Sequence, residues 1–170
     1  MPGNTQLSRL EQAAAVLLKH GVRFIVIGGQ AEYLFGSPRV TYDVDLCYER
    51  TTANLERLAR ALVELKPSLR GAPRDLPLVL DARALALGEN YTLDTIIGQL
   101  DLLGYVEPIG DYSAIAKKSR KYSIGTMELD VIDLDDLIRI KEHIGRSKDR
   151  ESLLQLYAIK RVRDEQSRED

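Results

Sequence analysis

One cysteine in 170 residues, Cys47, leaves this chain without an intramolecular disulfide. A lone thiol within an apolar run reads as a core residue of a protein in a reducing cytosol, not as a nucleophile. Histidine is nearly as scarce. His20 and His143 are the only two, and neither stands at metal-ligand spacing from another donor. Long hydrophobic runs are missing as well: residues 13–18 (AAAVLL) make the longest run of the N-terminal segment, against the ~20 apolar residues that cross a bilayer. No basic stretch precedes an apolar segment there, so neither a targeting peptide nor a membrane anchor is expected, and a cytoplasmic location follows. A large charge of one sign is also absent, with a net charge of −2 and a sequence pI near 5.8. Bulk electrostatics therefore give no mark of a nucleic-acid binder.

What is present fits one globular domain spanning residues 1–170, since 44% hydrophobic and 29% charged residues are ordinary values and the length is enough for a substantial core. Leu7, Leu10, Ala14, Leu17 and Leu18 repeat at helical spacing, with Asn4 or Thr5 placed to cap the helix and Gly21 to stop it. Residues 24–27 (FIVI) form a short buried strand, expected to have that helix packed behind it. A second amphipathic helix is expected over 53–66, capped by Thr52. Residues 67–77 (PSLRGAPRDLP) hold three prolines and a glycine and read as an exposed connector. A short helix over 81–87 ends at Gly88. An antiparallel hairpin follows, with apolar runs at 91–97 and 100–103 separated by Gly98-Gln99. A further hairpin turns at Gly125-Thr126. Two amphipathic helices close the chain from Leu134 onward, with a frayed, charged tail from Arg163.

The stretch FIVIGGQAEYLFGSPRVTYDVDLCY, Phe24 to Tyr48, carries the chemistry. Asp43 and Asp45 stand two apart in a strand-like run, so their side chains share a face with Cα atoms about 6.5–7 Å apart. Two such carboxylates repel unless a cation lies between them, and Mg2+ prefers one or two carboxylates plus phosphate oxygens. Gly28-Gly29 joins the first strand to a helix start, where a backbone without Cβ atoms lets a phosphate come close. Metal on one side and phosphate on the other point to phosphoryl or nucleotidyl transfer. Asp101, between Leu100 and Leu102, lies on the hairpin. If its strand lies beside that of Asp43 and Asp45, three acids share one cavity, enough for two ions about 3.5–4 Å apart; otherwise it is a solvent-facing acid of an edge strand. Asp94 lies on the partner strand and reads as exposed. The basic run Lys117-Lys118-Ser119-Arg120-Lys121 reads as a solvated helix end.

The run GGQAEYLFGSPRVTYDVDL resembles the signature of the polymerase β-like nucleotidyltransferase superfamily, in its minimal and abortive-infection (AbiEii-like) bacterial branch. Arg39-Val40-Thr41-Tyr42-Asp43-Val44-Asp45 is similar to that family's Arg-x-Thr-x-Asp-x-Asp segment, and GQLDLLG (98–104) resembles the strand of its third carboxylate. Residues 134–149 resemble its Asp-Leu-Ile-x-x-Lys helix and following Gly-Arg-x-Lys-Asp. The departure is Gln30, where the family's best-known phosphate turn has serine.

The resemblance implies an α/β (α+β) nucleotidyltransferase fold, a small mixed sheet with helices packed on it, comprising a core of about 5–133 and C-terminal helices of about 134–165. It implies Asp43, Asp45 and Asp101 as catalytic and metal-binding residues for Mg2+ (or Mn2+). Gly28, Gly29, Arg39, Thr41, Lys141 and Lys148 become the nucleotide-binding set, although each lysine reads equally as an exposed helix residue. The implied reaction moves an NMP from an NTP to a hydroxyl and releases pyrophosphate, with acceptors such as a tRNA end, a protein Tyr or Ser, or a small aminoglycoside-like molecule. The family's small members also imply a HEPN-type toxin–antitoxin partner, and with it a second reading: a catalytically weak antitoxin or protein-binding module.

Overall fold

The computed structural model describes residues 7–73, 75, 76 and 78–169. Helix α1 (Arg9–Lys19) begins at Ser8, whose side chain accepts from the Glu11 amide while the Glu11 carboxylate accepts from the Ser8 amide, a capping box that satisfies two otherwise orphaned donors. Asn4 and Thr5, expected as caps, lie outside the described residues. Leu10, Ala13, Ala14 and Leu17 form the buried stripe, whereas Leu7 and Leu18 stand largely in solvent. The apolar face is thus narrower than the leucine spacing alone suggests.

Strand β1 (Phe24–Ile27), buried at every position, runs into helix α2 (Gly28–Leu34). Strand β2 (Val44–Tyr48) returns antiparallel to β1, with Ile27 opposite Asp45. Helix α3 (Thr52–Leu65) is capped by Thr51, one residue before the expected cap. Its fully buried Asn54 accepts from the Arg23 amide and donates to the Arg23 and Glu49 carbonyls. One amide side chain therefore ties the start of β1 to the end of β2, where buried polar groups need partners. Helix α1 packs on α3 and over β2.

The Pro- and Gly-rich segment is mostly irregular but contains a two-residue strand, β3 (Ser68–Leu69). Helix α4 (Ala82–Leu87), capped by Asp81, precedes the hairpin of β4 (Asn90–Thr95) and β5 (Gly98–Leu103). Thr95 pairs with Gly98, so the turn residues are Ile96-Ile97 and Gly98 already belongs to the second strand. Its φ of +110° explains the displacement: a glycine was needed for backbone conformation within the ladder, next to the turn. A small pair, β6 (Tyr105–Val106) and β7 (Gly110–Asp111), leads through α5 (Tyr112–Ala116) to the hairpin of β8 (Arg120–Ile124) and β9 (Met127–Val131). The main sheet has seven strands in the order β3-β4-β5-β2-β1-β9-β8, parallel at β2/β5 and β1/β9 and antiparallel elsewhere.

Helix α6 (Leu134–Ile144) stops at Gly145, whose φ of +63° is the left-handed end that glycine favours. Helix α7 (Asp149–Glu169) packs on α6 and stays helical through Glu169. The expected fraying from Arg163 does not occur. Arg163 is anchored, with its guanidinium 5.0 Å from the Phe35 ring centroid and a 3.3 Å hydrogen bond to the Tyr122 hydroxyl.

Candidate active site

The two central parallel strands create the site. In β2 the side chains of Val44 and Leu46 are buried in the apolar core, and strand alternation turns Asp45 to the other face. Leu100 and Leu102 do the same for Asp101 in β5. The β2/β5 register places Asp45 directly beside Asp101. Asp43, one residue before β2, is held by Gln30, whose Nε2 donates to the Asp43 carbonyl at 3.2 Å. The residue that departs from the expected serine thus has a structural task.

These acids open into a polar cavity of about 430 Å3. Gly29, Arg39, Thr41, Asp43, Asp45, Asp101, Lys141 and Lys148 all line it, joined by Glu32, Val40, Arg70, Arg146 and Asp149. Of the residues nominated from sequence only Gly28 is not part of the lining. It lies directly behind Asp45: with φ of +64°, a Cβ there would come within 2.9 Å of Asp45 Cγ. A Cβ at Gly29 would come within 2.8 Å of Thr41 Oγ1. Both glycines are required by the close approach of the residues that build the pocket, and Gly29 alone exposes backbone to it.

Burial pushes the Asp45 carboxyl up to about 7, assisted by the charge of Asp101, a hydrogen bond to it, and the charge of Asp43, with Lys141 opposing. A carboxylate so crowded is one that a cation would relieve. Among the described residues no ready-made group of three His, Cys, Asp or Glu side chains converges on a single ion position. The donor set nevertheless suits a hard divalent ion, which needs only one or two carboxylates when phosphate oxygens and water complete its shell.

The opposite wall is an ionic network that periodicity did not reveal. Lys141 of α6 is buried, with its Nζ 2.7 Å from Glu32 Oε1 and 3.2 Å from Asp149 Oδ1. The Glu32 contact is an ion pair without hydrogen-bond alignment, since Oε1 has no directed donor. Glu32 Oε2 accepts from Ser152 Oγ at 3.0 Å, and Ser152 in turn accepts from the Arg39 guanidinium. Burial acts to raise the Asp149 carboxyl, but Arg146 Nε at 2.8 Å and Lys141 outweigh it and hold it below the usual carboxylate range. Lys141 is therefore not an exposed helix lysine, whereas Lys148 is exposed at the pocket rim. Ser37 Oγ donates to Gln155 Oε1 at 2.8 Å, fastening the loop before Arg39 to α7.

Arg70 is another pocket residue that sequence reading missed, beside Glu32, Arg146 and Asp149. It follows β3, and its Nη2 donates to Asp101 Oδ1 at 2.9 Å. Asp94, read as simply exposed, lies with Oδ1 3.5 Å from Arg70 Nε. Cys47 is fully buried, and burial pushes its thiol up to about 12, which removes it as a nucleophile. Lys117 and Lys118 are exposed beyond α5, away from the pocket lining. No helix among the described residues is long and apolar enough to cross a membrane.

A Thermotoga maritima crystal structure provisionally named as a nucleotidyltransferase aligns over 92% of this chain and 98% of its own, with a TM-score of 0.55 and 15% identity. The fold is that of a nucleotidyltransferase. An antigenic nucleotidyltransferase-like protein from Paracoccidioides brasiliensis aligns over 88% of this chain and 77% of its own, with a TM-score of 0.50 and the same 15% identity. Neither a protein-family model nor a curated protein matches the sequence, so the likeness is one of backbone architecture. The nucleotidyltransferase fold explains why β2 and β5 are parallel neighbours: the crossover through α3, α4 and β4 brings the two acid-bearing strands side by side, which a direct hairpin between them could not do.

Proposed function

We propose that this chain is a divalent-ion-dependent nucleotidyltransferase that moves an NMP from an NTP to an acceptor hydroxyl, working as a single domain in a reducing cytoplasm. One observation carries the reading: Asp45 and Asp101 occupy paired positions of adjacent strands, with Asp43 two residues before Asp45, in a cavity whose other charged residues are mainly cationic. Mg2+ or Mn2+ held by Asp43 and Asp45 would supply charge neutralisation for the triphosphate and its leaving pyrophosphate. Arg39, Lys148 and the Gly29 backbone, all in the pocket lining, would bind phosphate oxygens, with Arg39 restrained by Ser152. Thr41, packed against Gly29, fixes the path of the loop that delivers Asp43. Asp101 would either join Asp43 and Asp45 in holding the ion or accept the acceptor hydroxyl's proton as the hydroxyl oxygen bonds to the α-phosphorus and the bond from the α-phosphorus to the leaving pyrophosphate breaks. Positioning and electrostatics supply most of the acceleration in such reactions.

The test is incubation of the purified protein with labelled NTPs, Mg2+ and total cellular RNA or protein. Label transfer that is lost in Asp43→Ala supports the transferase. A second reading, a toxin–antitoxin module with little turnover and a HEPN-type partner, is favoured by Gln30 standing where a phosphate-binding hydroxyl would be. Tight binding of such a partner without label transfer would support that reading and exclude the first.

A further inference from the structure

Register places Arg70, Thr92, Asp101 and Asp45 in one row across four strands. Asp45 pairs with Asp101 and Asp101 with Thr92, while the Arg70 amide donates to the Thr92 carbonyl at 3.1 Å, extending the β3/β4 ladder by one residue. From the sheet edge the Arg70 side chain crosses β4, donates to the Leu93 carbonyl at 3.2 Å and reaches Asp101 Oδ1 at 2.9 Å. Both partners are mostly buried, with side-chain exposures of 28% and 23%, so this contact is screened less than a surface pair. A guanidinium here neutralises the carboxylate that lies nearest Asp45, the place where a divalent ion would do so.

Two further features bear on whether this guanidinium can leave. Arg70 Nε is buried and has no hydrogen-bond partner, and the more exposed Asp94 carboxylate stands 3.5 Å from it. A small swing of the side chain toward Asp94 would satisfy Nε and keep the arginine paired while releasing Asp101. An arginine serving only to fasten the sheet edge has no use for a second acid set just beyond hydrogen-bonding distance.

We infer that Arg70 is the resident counter-charge of Asp101: it positions that carboxylate while the pocket holds no ion, and it yields to Asp94 when a divalent cation takes Asp101 as a ligand. This rests on the transferase reading of the pocket. Ion and guanidinium then compete for one oxygen, so ion binding without nucleotide is weakened by Arg70.

The test is Mn2+ titration of the nucleotide-free protein, with unbound ion read by electron paramagnetic resonance. Arg70→Met is expected to tighten Mn2+ binding about tenfold. In an Asp101→Asn background the same substitution should change it less than about threefold, because the contact is already gone. Circular dichroism checks folding. If Arg70→Met does not fold, Arg70→Lys serves in its place, with a smaller gain that is likewise lost in the Asp101→Asn background. Unchanged or weaker Mn2+ binding overturns the inference and leaves the transferase reading standing. So does an equal gain with and without Asp101, which would mean that only the general charge of the pocket had changed. No Mn2+ binding by any variant, with or without NTP, overturns both.

Discussion

Asp45 destabilises the fold it sits in, and the size of the effect can be worked out. Its carboxyl titrates at about 7 in the folded protein against an ordinary aspartate value of 3.8. At 1.36 kcal/mol per pH unit that difference corresponds to a cost of up to about 4 kcal/mol once the group is ionised. The sign follows from proton counting. Between pH 4 and 7 the folded state holds more protons at this site than the unfolded chain, so stability falls as pH rises through that window and is level above about pH 8. Asp45→Asn removes the ionisation. At pH 8.5 the variant should be more stable than the parent by about 4 kcal/mol, or ~10 °C in Tm for a chain of this length. Near pH 4 the same linkage leaves a gap of only about 0.5 kcal/mol. Urea unfolding of both proteins from pH 4 to 8.5, without divalent ions, measures the gap directly. A variant equal to or less stable than the parent at pH 8.5 would refute the electrostatic account of the pocket. So would a gap that does not close at low pH.

Two other substitutions test the pocket's walls. Lys141→Met should cost about 3–5 kcal/mol in urea unfolding at neutral pH, because it leaves Glu32 and Asp149 buried without their cation; a loss under about 1 kcal/mol would show that the carboxylates reach water. Gly28→Ala forces a side chain into a backbone with φ of +64° and against Asp45, and should lower stability by about 2 kcal/mol or more while weakening Mn2+ binding. Retained Mn2+ affinity would mean that Asp45 is free to move aside.

Where a residue's role follows from local pattern, the sequence was a good guide. Alternation around Asp45 and Asp101 turned both acids away from the core, and the two strands, whose adjacency the sequence left as a condition, lie side by side. Arg70 escaped notice because its strand is two residues long and set in a Pro- and Gly-rich stretch, so no periodicity marks it. Glu32 and Asp149 escaped for the opposite reason. A charged residue on an amphipathic helix is ordinarily read as solvated, and only tertiary contact shows that their partner is a lysine brought from another helix. Helix α7 runs to Glu169 although its last turns are polar, because Arg163 packs on Phe35, a contact 128 residues apart in the chain that local composition cannot register.

The fastening of Ser37 and Arg39 to Gln155 and Ser152 joins residues more than a hundred positions apart. During synthesis the acid-bearing strands emerge well before α7 does, so the wall that contains Arg39, Lys141 and Asp149 is the last part of the pocket to be built. A chain interrupted before residue 149 would lack the Ser152 that holds Arg39 and would leave Lys141 with only Glu32 of its two carboxylate partners. Truncated products released by a stalled ribosome would carry the three acids without a finished site around them.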